Sequence, residues 1–256
     1  MSLISKFVGQ VRFSRKVFLG LAALAFVVPV GQLPTTAQAA IIISEVHASG
    51  SSSTSNSYNA DWIELTNTGA SAVDITGWKL DDSSNALANA VAFRGLTSIP
   101  AGKSAVFFEG NTSGSNDATI SAAFISYWFG ANAPAGFLIG AYGGSGVGLG
   151  SGGDAVNIFD AGGSRVTGVS FGAVVDGITR DNSAGVGSTT LPLPLISINS
   201  VVGVNGAFSS FAAGGTLSVR EVGSPGAVPE PSSIVLAGLG LLGLGAGVCR
   251  RAKQAK

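Results

Sequence analysis

Asp61-Trp62-Ile63-Glu64-Leu65-Thr66-Asn67 decides the fold class, because polar and apolar side chains alternate along it. Alternation of period two places successive side chains on opposite faces of a strand, so Trp62 and Ile63 point apart. The same grammar runs outward in both directions. Upstream, Ile41-Ile42-Ile43-Ser44-Glu45-Val46 is a short run rich in isoleucine and valine. Downstream, Val73-Asp74-Ile75-Thr76-Gly77-Trp78-Lys79-Leu80 alternates again, with Val73 and Ile75 on one face. Further strand-like runs fall at 104–108, 137–142, 155–159, 165–171, 195–204 and 216–219. Gly, Asn, Asp and Ser separate them, at spacings that suit a sandwich or barrel. Glycine supplies 38 of 256 residues, about twice its ordinary share of roughly 7%. The expectation is one all-β domain over 40–226 with glycine-rich loops.

Charge is segregated. The totals balance at 14 basic and 14 acidic residues. Four basic residues precede the first apolar run and four follow the last. The middle keeps six basic against thirteen acidic residues, a net charge of −7. An anionic surface without a basic patch excludes nucleic acid as an expected partner. The only cysteine, Cys249, lies in the last apolar run, so no disulfide is expected.

Both ends read as addresses. After Lys16, an apolar stretch at 17–30 has the length of a secretory h-region, and Ala37-Gln38-Ala39 offers small residues where signal peptidase cleaves. Residues 1–39 are therefore expected to be a helical signal peptide, with an uncleaved anchor as the alternative. At the other end, Pro229-Glu230-Pro231 precedes an apolar segment at 234–248 and then Arg250-Arg251. That pattern suits a short transmembrane helix at about 232–249, with the positive tail inside and the domain outside.

Residues 227–256 resemble the PEP-CTERM sorting signal, carried by Pro229, Glu230, Pro231, the apolar run, Arg250 and Arg251. The resemblance implies recognition by an exosortase, a membrane protease-transpeptidase that removes the tail. It also implies transient anchoring in the membrane, then a cell-envelope or extracellular destination in species that make exopolysaccharide. A plain tail anchor is the alternative. The middle resembles the lamin tail domain, an immunoglobulin-like β-sandwich. The carrying residues are Ile43-Ser44-Glu45-Val46, 61–67, 73–81, Ile99-Pro100-Ala101-Gly102, a hairpin at 153–163, and Gly223-Ser224-Pro225-Gly226. The similarity is concentrated at 41–110 and 150–172. Residues 111–149 and 173–215 are expected to be loops or extra strands. The family implies an interaction or structural module with no catalytic residues.

Other motifs compete with these readings. Gly168-Val169-Ser170-Phe171-Gly172 matches a nucleophile elbow, but no helix pattern follows it and the sole histidine, His47, precedes it. Gly148, Gly150 and Gly153 fit a dinucleotide pattern, yet the next residues read as strand. Trp62 and Trp78 are expected in the core. Tyr127, Trp128 and Phe129 form the aromatic patch named as a candidate ligand contact. Asp81, Asp82 and Asn85, or Asp154 and Asp160, match no calcium loop, and the aspartates read as solvated turn carboxylates. His47 is expected to be an ordinary surface or edge side chain, and no metal or cofactor is assigned. The sequence thus points to a non-catalytic envelope or matrix protein associated with exopolysaccharide or biofilm. A carbohydrate-binding module is the alternative and a secreted hydrolase a further one. The expected partners are signal peptidase, an exosortase, the membrane, and polysaccharide or other envelope proteins.

Overall fold

The computed structural model describes residues 41–50, 56–144, 146–212 and 220–228. All of them lie in a unit that begins at Gln38. The expected signal peptide with Ala37 and Ala39, the strand at 216–219, and the sorting residues Pro229, Glu230, Pro231, Arg250 and Arg251 fall outside the described residues. So does the expected helix at 232–249. Among the described residues, no helix is long and apolar enough to cross a membrane.

The first half of the domain contributes β1 (Ile41–His47), β2 (Trp62–Asn67), β3 (Val73–Asp74), β4 (Lys79–Asp81), β5 (Val91–Arg94), β6 (Ser98–Ile99) and β7 (Ser104–Gly110). One helix, α1 (Asp117–Phe129), follows. The second half adds β8 (Leu138–Gly143), β9 (Gly153–Phe159), β10 (Arg165–Gly172), β11 (Arg180–Asp181), β12 (Leu195–Ile196), β13 (Phe208–Ser209) and β14 (Val222–Gly223). Ten of these strands form one sheet in the order β11-β1-β2-β7-β8-β5-β4-β9-β10-β12. The sheet bends into a barrel-like sandwich. β5 is the corner, pairing with β8 through Phe93 and Arg94 and with β4 through Val91 and Ala92.

Inside the bend, Ile41, Ile43, Val46, Ile63, Leu65 and Phe107 from one wall meet Leu80, Val156, Ile158, Val169 and Phe171 from the other. A second apolar cluster lies on the outer face of β2, β7 and β8, where Trp62, Val106, Phe108 and Ala141 receive Phe124, Tyr127, Trp128 and Phe129 of α1. Trp62 and Ile63 therefore point apart, as alternation requires, and both are fully buried. Trp78 is buried in the inner cluster. The hairpin of β9 and β10 forms in antiparallel register, with a turn closed by Gly163 N donating to Asp160 O.

Three expectations change. Residues 111–149 are not only loop and strand, because α1 carries the chain from β7 to the parallel strand β8. Its start follows Asn116 with Asp117 in the first turn, and Gly130, at φ 59°, ends it. Side chains at 124, 127 and 128 share one helical face, so the helical period was present but overshadowed by flanking glycines. The run at 73–80 splits into β3 and β4, because Gly77 turns at φ 75°. Of residues 195–204, only Leu195 and Ile196 form a strand, paired in parallel with β10.

β8 packs against β7 only because residue 140 has no side chain. A Cβ there would lie 2.6 Å from Arg94 O and 2.8 Å from the Phe107 ring. Gly140→Ala should lower stability by about 1–3 kcal/mol in urea unfolding. Gly148→Ala, with nothing within 4 Å, should stay within about 0.5 kcal/mol of the parent.

Candidate functional site

The outer face of β1 and β2 is polar, yet it is buried. A phase slip creates it. Ile41 and Ile43 face inward, and strict alternation would send residue 45 the same way. A bulge between Ile43 and Glu45 resets the parity, so Val46 faces inward while Glu45 pairs with Glu64 and His47 with Trp62. Glu45, His47, Glu64 and Thr66 are all at most 1% exposed.

What covers them is the C-terminal end of the domain. Ser224 N donates to Glu45 Oε1 at 2.8 Å, and Thr179 Oγ1 and Ser200 Oγ donate to the same oxygen. Gly226 N donates to Glu64 Oε2, while Ser44 Oγ donates to Glu64 Oε1 at 2.7 Å. Ser104 Oγ donates to Ala227 O at 2.6 Å. Glu221 reaches back from the same segment. It accepts from Tyr58 Oη at 2.6 Å and Asn56 Nδ2 at 2.9 Å, and its Oε2 lies 3.5 Å from His47 Nε2. His47 stacks on Trp62 at 5.6 Å between ring centroids. β14 is held from both sides, by β13 and by Thr179 N donating to Val222 O. Gly223 fits because a Cβ would come within 3.0 Å of Glu45 Oε1 and the Trp128 ring. The expected terminal turn at 223–226 is present, closed by Ala227 N donating to Ser224 O. This arrangement is a clasp: two carboxylates of the β1–β2 pair hold residues 221–227.

Burial dominates the electrostatics. It pushes the Glu45 carboxyl up to about 7, although the hydrogen bonds from Thr179, Ser224 and Ser200 oppose it. Burial raises Glu64 further, and the neighbouring Glu45 charge adds to that. Burial alone would lower His47, but the Glu221 carboxylate outweighs it and holds the imidazole above its ordinary value. For Glu221, burial raises the carboxyl, and His47 with the Tyr58 and Asn56 hydrogen bonds brings it below the ordinary value. The clasp therefore combines two carboxyls whose burial favours the protonated form with a His47–Glu221 pair in which each partner favours the other's charge. His47, read as a surface or edge residue, is in fact buried against Glu221, because the segment that covers it arrives from 174 residues downstream.

The other singled-out residues lie elsewhere. Tyr127, Trp128 and Phe129 are at most 9% exposed on α1, and their rings pack on Tyr58, Trp62, Phe137 and Phe208. A ligand reaches them only if α1 leaves the sheet. Ser170 sits within β10, with its Oγ 3.3 Å from Pro194 O, and not at a strand-to-helix turn. It borders an open cleft of about 690 Å³ with Asp154, Asn85 and the 191–193 loop. Asp154 is spent on Gly150 N and Ser83 N, Asp81 on Ser84 Oγ and Ala86 N, and Asp160 on Ser164 N. These carboxylates stabilise turns. β9 follows Gly148, Gly150 and Gly153 where a dinucleotide site needs a helix.

Fold and clasp together define an all-β module with one covering helix, closed at its C-terminal end by its own first hairpin. A family model described as Lamin Tail Domain matches residues 34–173, more than half of the chain, and the chain belongs to that family. A second model, the PEP-CTERM protein-sorting motif, matches residues 227–251, beginning where the clasp ends. The motif makes this an exported β-domain protein that an exosortase sorts, held transiently at the membrane on its way to the cell envelope. Neither the curated proteins nor the solved structures include a match.

The clasp carries a pH signature. Glu45 and Glu64 hold protons more tightly when folded, so their contribution is complete below about pH 4.5 and fades as pH rises, for Glu45 through about 7. His47 acts in the same direction above its ordinary 6.5. Glu221 has the opposite sign and is lost only as pH falls below 4.5. Stability should peak near pH 4.5 and fall by about 3 kcal/mol or more toward pH 8, read as the urea midpoint. Glu45→Gln keeps the Oε1 acceptor and should flatten that slope. Glu221→Gln sets a donor against a donor and leaves the buried His47 unpaired, so it should cost about 3 kcal/mol or more at pH 7.

Proposed function

We propose that this chain is a non-catalytic display module of the cell envelope or extracellular matrix, delivered through a cleaved signal peptide and a C-terminal membrane helix and associated there with exopolysaccharide. One observation supports this most directly. Among the described residues, the hydrogen bond from Ser104 Oγ to Ala227 O falls at the first residue of the sorting motif. Cutting the chain beyond residue 228 breaks none of the hydrogen bonds of the clasp, so the module survives release intact. A domain that ended further upstream would need a linker, and one that ended further downstream would unfold on processing.

The roles follow from chemistry. Small residues Ala37 and Ala39 serve signal peptidase, and Pro229-Glu230-Pro231 with Arg250 and Arg251 serves the exosortase. The acidic, glycine-rich surface faces polysaccharide or other envelope proteins. The carbohydrate-module alternative rested on Tyr127, Trp128 and Phe129, whose faces are taken up by protein rings.

Intact-mass analysis of the native protein by cell fraction tests the reading. The mature species in the envelope or medium should begin near Ala40, lack the 234–251 region and keep residues through 227. Glu230→Ala should leave the tail on and hold the protein in the membrane fraction. A cytosolic protein with both ends intact would sink the proposal. Esterase, phosphatase and glycosidase screens should show no turnover that depends on Ser170.

A further inference from the structure

Between β12 and β13 the chain keeps an apolar run in solvent. Leu195, Ile198, Val201, Val202 and Val204 are 49–63% exposed. Isolated exposed apolar residues are ordinary, but a cluster on a braced loop is not. Bracing is evident in the backbone. Gly203 N donates to Ala207 O at 2.8 Å, Val204 N to Val201 O at 2.9 Å, and Ala207 N to Val204 O at 2.8 Å. Asn205 sits at φ 49°, with Nδ2 donating to Asp181 Oδ2 at 2.7 Å. Ser200, at the base of the loop, donates to Glu45 of the clasp. The valines are thus held outward by the same network that holds the C-terminal segment.

Position identifies what they meet. A Cβ on Gly206 would come within 2.8 Å of the Ala227 methyl, so the loop abuts the residue at which the sorting motif begins. From Val228, itself 37% exposed, six peptide steps lead to Ile234, where the apolar segment starts. Six extended residues span at most ~20 Å. When that segment lies in a bilayer, residue 227, seven steps from Ile234, and the loop beside it are therefore kept within about 25 Å of the lipid surface. Residues 195–207 contain no Lys, Arg, Asp or Glu. Contact with lipid then desolvates no charge.

We infer that the 201–204 loop is a membrane-facing lip, which rests its valines in the interfacial zone of the bilayer while the C-terminal segment anchors the chain. The inference rests on the sorting reading above, because the tether supplies the proximity. A few valines bury too little surface to hold a domain on a membrane alone, so the lip lets go once the anchor is removed. It orients the module at the surface where the sorting motif is read, and does so without a permanent membrane attachment.

The test uses the full chain in a Cys249→Ser background, with single cysteines introduced as Val202→Cys, Gly240→Cys or Ser113→Cys. Each carries a nitrobenzoxadiazole label in vesicles of phosphatidylethanolamine and phosphatidylglycerol, with and without brominated lipid. Ser113 is exposed beyond the far end of β7 from Ser104 and serves as the solvent reference. The expected result is a blue shift with loss of emission to brominated lipid at 240 and at 202, and neither at 113. Quenching at 240 with a reading at 202 equal to that at 113 overturns the lip and leaves the anchor standing. No quenching at 240 overturns the anchor and the lip together. A shift at 202 that grows with protein concentration and ignores brominated lipid identifies a second copy as the occupant, which also overturns the lip.

Discussion

Burying Glu45 and Glu64 side by side is the most expensive feature of this fold, and the arrangement of the surrounding chain answers that cost. Two carboxylates on adjacent strands, away from water, cannot both remain ionised without cations nearby. Among the described residues, no lysine or arginine forms an ion pair with them. Hydroxyls of Ser44, Thr179 and Ser200 and amides of Ser224 and Gly226 are used instead, and burial keeps the carboxyls near or above neutrality in their proton affinity. The amides come from the last residues of the domain. The hairpin that opens the domain therefore cannot complete its hydrogen bonding until the chain's C-terminal end has arrived.

This dependence ties together parts that look separate. The bulge at Ser44 turns Glu45 and His47 outward. α1 covers the apolar half of that outer face through Trp62 and Phe108, and residues 221–227 cover the polar half. Glu221 then meets His47, which stacks on Trp62. Among the described residues, the hydrogen bonds of the clasp reach Ala227, the first residue that the sorting motif matches.

Much of this was legible beforehand. β1, β2, β7, β9 and β10 were visible as apolar runs or alternation, and the hairpin and the terminal turn were visible through their glycines and Pro225. The opposite facing of Trp62 and Ile63 followed from period two alone. The clasp was not visible, because nothing local in Ile41–His47 or Trp62–Asn67 says that the polar face will be covered. One trace did exist: apolar residues at 41 and 43 but at 46 require a parity slip. α1 was missed because its aromatic face is short and lies among glycines. Its residues were read as an exposed patch, whereas the sheet beneath them offers Tyr58 and Trp62 as partners.

Taken by itself, the amino-acid order determined the strand-rich class, the acidic cargo between two basic, apolar ends, and the sorting signal at 227–251. These depend on residue type and near-neighbour spacing, which a chain carries whether folded or not. Only the tertiary structure decided which polar face would be buried, that His47 would serve as an ion-pair partner, and that the 201–204 loop would stand beside the exit of the chain. The first two depend on contacts between residues more than a hundred positions apart, and the third on Gly206 meeting Ala227. Such contacts form only when the whole sheet bends and its last segment closes on its first.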